Sequence, residues 1–150
     1  MPARLANTTT PAMTKAIGTL YKEAHASGID PKVLELVHLR ASQINGCSPC
    51  VDSGARNARS NGETDERLWA LAAWRETPYY TGAERAALAL AESATRLADR
   101  PDAVSDELWE GVAKHFNERE LGALALWIAT TNFFNRLNAI IRVQAPQSWA

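Results

Sequence analysis

Hydrophobic positions along this chain recur at intervals of three and four residues, and no stretch alternates apolar with polar for the length of a strand. The pattern predicts helices throughout. Thr9-Thr10-Pro11 opens an amphipathic segment carrying Met13, Ile17, Leu20 and Tyr21, with Gly28 as its stop. Asp30-Pro31 supplies a cap and a first-turn proline for a second helix, which includes Leu34 to Ser42. Asn45-Gly46 reads as a break, and Cys50 to Ser60 as the next helix. Gly62 and Thr64 separate it from Asp65 to Glu76, where Leu68, Leu71 and Ala72 share a face, and Pro78 forces another break. Thr81-Gly82-Ala83-Glu84 has the spacing of a capping box and opens a helix to about Leu97. Ser105 caps a short helix through His115, and Asn117 with Glu120 starts a long last helix to about Val143. No repeat, linker or low-complexity tract divides these elements. The expectation is an all-α, single-domain bundle of about seven helices spanning residues 1–150.

Two runs, Ala86 to Ala91 and Ala123 to Ala129, are apolar nearly all round. Such helices are buried on all sides. They are either central helices of the monomer or parts of a subunit interface, and five tryptophans lean towards the interface. Composition otherwise narrows the class by exclusion. A hydrophobic fraction of 46%, a charged fraction of 22% and a net charge of −1 are those of an ordinary globular chain. They leave no basic footprint for nucleic acid or an anionic membrane. The longest apolar run, Leu121 to Ala129, is too short to span a bilayer, and Met1 to Asn7 has no signal-peptide core. A cytoplasmic location is expected, where a lone cysteine pair suits transient rather than structural disulfide use.

The chemistry of the chain concentrates in Asn45-Gly46-Cys47-Ser48-Pro49-Cys50, which holds its only two cysteines. At this spacing they are a redox pair or half of a metal site. They sit at a predicted helix N-terminus, where unpaired N–H groups and the macrodipole favour negative charge and raise the share of reactive thiolate. A structural zinc site takes four ligands, normally from two close pairs, and no two of His25, His38 and His115 are near in sequence. No metal or cofactor is expected.

The segment Glu35-Leu-Val-His-Leu-Arg-Ala-Ser-Gln-Ile-Asn-Gly-Cys-Ser-Pro-Cys-Val-Asp52 resembles the signature of the alkylhydroperoxidase D-like branch of the carboxymuconolactone decarboxylase family. Glu66 to Glu76, Glu84 to Glu92 and Asn135-Arg136-Leu137 continue the likeness, which covers roughly Pro31 to Ile141. The resemblance implies an all-helical fold assembled as a trimer or hexamer, with thiol-dependent, peroxiredoxin-type reduction of hydroperoxides in antioxidant defence. It implies Cys50 as the peroxidatic thiol that becomes a sulfenic acid, Cys47 as proton donor and resolving thiol, and Glu35 as general base. The partners implied are a hydroperoxide, a dithiol or protein reductant, and further copies of the chain. The relay histidine of that branch, four residues after the second cysteine, is here Gly54. This departure sets up an alternative: a weakened homologue serving as a redox-sensing or binding oligomer. The decarboxylation that names the broader family would give the two cysteines no evident task.

Physical chemistry adds expectations to these assignments. Residues at i and i+3 of a regular helix have Cβ atoms about 5–6 Å apart, whereas a disulfide needs about 3.5–4.5 Å. Cys47 is therefore expected at the N-cap or just before it. Otherwise the pair is a buried couple of inert small hydrophobes. Glu35 lies in an apolar stretch, so desolvation would raise its pKa towards a value useful to a base; a solvated surface glutamate is the competing reading. His38, one turn on, is expected to be an exposed helix residue, with replacement of the missing relay histidine as its alternative role. His25 and His115 are expected near helix C-termini without a chemical task. A Gly54→His change is expected to rebuild the relay, unless a neighbour fills the vacated space.

Overall fold

The computed structural model describes residues 2–5 and 9–148, so Met1, Ala6 and Asn7 of the stretch read for a leader lie outside it. Among the described residues there are seven α-helices and no strand. They are α1 (Pro11–His25), α2 (Pro31–Asn45), α3 (Ser48–Ser60), α4 (Asp65–Ala70), α5 (Gly82–Thr95), α6 (Asp106–Ala113) and α7 (Glu118–Ile141). None is long and apolar enough to cross a membrane.

The starts follow local chemistry closely. Thr10, Asp30, Thr64, Thr81, Ser105 and Asn117 each accept a first-turn N–H, and Thr81–Glu84 and Asn117–Glu120 form complete capping boxes. The ends depart more. The first helix stops at His25, three residues before Gly28, and α4 stops at Ala70 and tightens into a 3₁₀ turn at Leu71–Ala73 rather than running to Glu76. A start is fixed by one side chain, whereas an end is fixed by what the last turn packs against.

The centre of the molecule is α2. Its residues 33–39 are buried without a break. Val33, Leu34 and Val37 join α5, α6 and α7 in one core, while Leu36 and Leu39 join Ala58, Leu71 and Trp74 in another. Along residues 33–39, with an apolar core on each flank, the helix has no solvent face, so Glu35 and His38 are buried as well. The two all-apolar runs sit differently. Residues 87, 88, 90 and 91 of α5 are buried, whereas Ala125 and Ala129 of α7 are exposed.

α2 and α7 run parallel in one register. Trp127 Nε1 donates to the Leu34 carbonyl at 2.7 Å, and Asn135 Nδ2 donates to Ser42 Oγ at 3.0 Å, each across 93 residues of sequence. Thr131 is thereby placed opposite His38, and the next turn of α7 reaches the end of α2 and the start of α3. This seam positions the cysteines.

Candidate active site

Gly46 ends α2 in the left-handed conformation (φ 65°), which glycine adopts without Cβ strain. Its neighbour Asn45 is tied to α7, with Nδ2 donating to Asn132 Oδ1 at 3.0 Å and to Asn135 Oδ1 at 2.8 Å. The chain then turns directly into α3 with Cys47 as its N-cap. There Cys47 and Cys50 are joined as a disulfide, their Cα atoms 5.3 Å apart. The N-cap's extended backbone (φ −81°, ψ 95°) closes the gap that a continuous helix would leave open. Both cysteines are buried, at 3% and 5% exposure.

Glu35 is buried at the same level, and burial pushes its carboxyl up to about 7. Near neutral pH it can therefore both give and take a proton. His38 is buried too, contrary to the exposed position expected for it, and burial pulls its imidazole down to about 4. The physical reason is the double-sided burial of α2, with a specific opening on α3. A Cβ built on Gly54 would lie 2.8 Å from His38 Nδ1 and 3.1 Å from Cε1. The imidazole occupies the space that any larger residue at 54 would claim.

Glu35 Oε2 and His38 Nδ1 stand 3.8 Å apart, too far for a direct hydrogen bond. With the carboxyl pushed up to about 7 and the imidazole pulled down to about 4, the two face each other as neutral groups between those pH values rather than as an ion pair. Neither atom has a hydrogen-bond partner among the described residues, and the same holds for the buried Thr131 Oγ1. Three buried polar side-chain atoms on α2 and α7 thus carry unmet hydrogen-bonding capacity.

One contact at the sulfurs has no signal in the local sequence. Asn138 Nδ2 donates to Cys50 Sγ at 3.3 Å and approaches Cys47 Sγ at 3.7 Å. The neighbouring Asn135-Arg136-Leu137 drew notice in the sequence, but nothing in it says that the next turn of a helix 88 residues away reaches the sulfurs. His25 and His115 stay outside the site. His25 caps its own helix through the Tyr21 carbonyl, and His115 packs over Gly82.

An all-helical chain with a Cys-x-x-Cys disulfide at one helix start and a buried carboxyl on the preceding helix has the alkylhydroperoxidase D-like fold. The chain belongs to the carboxymuconolactone decarboxylase family, whose model matches residues 11–93. It is 36% identical over 128 residues to the uncharacterized protein YdfG of Bacillus subtilis, covering 85% of this chain and 86% of that one. A crystal structure of a protein of unknown function from Agrobacterium tumefaciens, whose suggested role is that of the antioxidant defence protein AhpD, superposes with a TM-score of 0.89. It is 30% identical and covers 98% of this chain and 100% of its own. The debrominase Bmp8 superposes with a TM-score of 0.80 at 25% identity, over 91% of this chain and 73% of its own.

Proposed function

We propose that this protein is a thiol peroxidase that reduces a hydroperoxide through Cys50 and regenerates itself through Cys47. The observation that carries the reading is the Cys47–Cys50 disulfide seated at the start of α3, with Glu35 buried on the adjoining helix and able to exchange a proton near pH 7. The Cys50 thiolate attacks one peroxide oxygen, so that an S–O bond forms and the O–O bond breaks. The products are a Cys50 sulfenic acid and, once protonated, an alcohol or water. The Cys47 thiol then condenses with the sulfenic acid, giving the disulfide and water. An external dithiol supplies the two electrons that reopen it.

Glu35 serves as the proton acceptor for the thiol. His38 supplies an imidazole from α2 at the place where residue 54 has no side chain, and at neutral pH it is uncharged, with a ring nitrogen able to accept a hydrogen bond. The fold's exposed apolar residues on α7, Phe133 and Ile140, support assembly into a homo-oligomer.

A second reading is favoured by the burial of both cysteines: a disulfide closed to bulky reductants can be formed once and held, as in a redox sensor. Turnover separates the two. A steady-state assay with organic and inorganic hydroperoxides and several dithiol reductants should show repeated cycles that Cys50→Ser abolishes. A single oxidation that stops at one equivalent of peroxide would replace the peroxidase reading with the sensor. Wild-type thiols inert to peroxide would remove both.

A further inference from the structure

We propose that Asn138 is a catalytic residue of this site, whose carboxamide stabilises the negative charge on Cys50 whenever that sulfur is a thiolate. The proposal rests on the reading of Cys47 and Cys50 as redox thiols, and it assigns the charge to one of the two.

The placement is built by the fold. Asn138 lies in the last turn of α7, whose preceding turns are bonded to α2 and to its closing turn through Asn135–Ser42, Asn45–Asn132 and Asn45–Asn135. The helix that holds the donor thus also holds the turn that positions the sulfurs. The distances are unequal: Nδ2 is 3.3 Å from Cys50 Sγ and 3.7 Å from Cys47 Sγ. Pro49 removes one N–H from the first turn of α3, and the Cys47 side chain accepts no cap hydrogen bond. The side-chain amide of Asn138 adds a donor at the sulfurs to those the helix start retains.

The consequence runs through both half-reactions. In reduction, a thiolate of the external dithiol attacks Cys47 Sγ. A new S–S bond forms there, the Cys47–Cys50 bond breaks, and its electron pair leaves on Cys50, where the amide receives it. The second thiol of the dithiol then displaces Cys47, which takes up a proton, and the reductant departs as its own disulfide. In oxidation, the same Cys50 thiolate attacks the peroxide. Because the leaving sulfur and the nucleophile are the same atom, one fixed donor favours both steps. Hydrogen bonds to a charged partner are roughly twice as strong as neutral ones, so the amide acts differentially on the thiolate.

The test reads thiolate directly and needs no peroxide. Cys47→Ser leaves Cys50 alone, and Cys50→Ser leaves Cys47 alone. In each background the thiol is titrated by ultraviolet thiolate absorbance and by the pH dependence of iodoacetamide alkylation, with Asn138 intact, as Asn138→Leu and as Asn138→Asp. The charged and titratable groups on the packed elements include Glu35, His38 and Arg40 on α2, the Asp52–Arg56 pair and Arg59 on α3, Arg136, held by Asn132, on α7, and its C-cap Arg142. All are common to the variants compared.

Loss of the donor should raise the Cys50 pKa by about one unit, a roughly tenfold fall in thiolate below that pKa. Asn138→Asp, which puts a like charge in place of the donor, should raise it further. The effect on Cys47 should be smaller. A packing role would track thermal stability instead and would leave the Cys50 pKa of the neutral Asn138→Leu at the wild-type value. An unchanged Cys50 pKa in Asn138→Leu, or equal shifts at the two cysteines, overturns the assignment. A shifted pKa in a protein that does not turn over peroxide upholds it and tells against the peroxidase reading alone.

Discussion

Glu35 and His38 hold one proton between them across the mildly acid range, and folding moves it from one to the other. In the unfolded chain, with ordinary values of 4.5 and 6.5, the proton between those two pH values is on the imidazole. In the fold, with values of about 7 and about 4, it is on the carboxyl. Folded and unfolded states therefore bind the same number of protons there, and the pair gives stability almost no slope with pH. Each shift comes from burial, so each should survive removal of the other group. In Glu35→Gln only the lowered imidazole remains. The unfolded state then binds the extra proton, and stability should fall as pH drops from about 6.5 to 4. In His38→Gln only the raised carboxyl remains, the folded state binds the extra proton, and stability should fall as pH rises from about 4.5 to 7. Either slope should amount to at most about 3 kcal/mol across its window. Urea denaturation at closely spaced pH values checks this, and parallel flat profiles for both variants would contradict the inversion.

At the scale of elements, the decisive feature is how closely α3 lies on α2 at Gly54. The gap expected there is occupied by the His38 ring, which meets any Cβ at 54. Gly54→His should gain a few tenths of a kcal/mol in helix propensity and lose about 1–3 kcal/mol to overpacking. The single variant should thus melt below wild type. Removing the obstructing ring in Gly54→His/His38→Ala should recover much of that loss, a non-additivity expected of residues in contact. It should also return an imidazole to the site, so its Cys50 should oxidise faster than in His38→Ala alone. Calorimetry and stopped-flow peroxide oxidation measure the two effects. A Gly54→His protein as stable as wild type would show that the ring does not hold that space.

For the whole molecule, the apolar surface left on α7 is the feature to explain. Phe133 and Ile140 are 51% and 63% exposed on a helix whose opposite side supplies Trp127 and Leu124 to the core. We expect this surface to be covered by another copy of the chain. Sedimentation at micromolar concentration should show a trimer or hexamer, and Phe133→Arg with Ile140→Arg should dissociate it while leaving the monomer helical. A wild-type protein that sediments as a monomer would remove assembly from the proposed function.

Element identity and starts were legible in the sequence because each depends on a few adjacent residues: a cap, a first-turn proline, an apolar period. The Cys47-x-x-Cys50 pair and its N-cap geometry were legible for the same reason, since spacing alone limits where two sulfurs can meet. The family likeness singled out Glu35, and its apolar neighbours correctly foretold its burial. What lay beyond local pattern was set by which helix became central. Once α2 took an apolar core on each flank, His38 had to be buried, although its own segment did not require it. Its ring could enter only because residue 54, on a different helix, has no side chain. Asn138 reaches Cys50 across 88 residues through a shared α2–α7 register that no local pattern encodes. Local sequence determined the elements and the reactive pair; packing between distant segments decided the groups around it, because burial and donor placement are properties of neighbours that only the folded chain brings together.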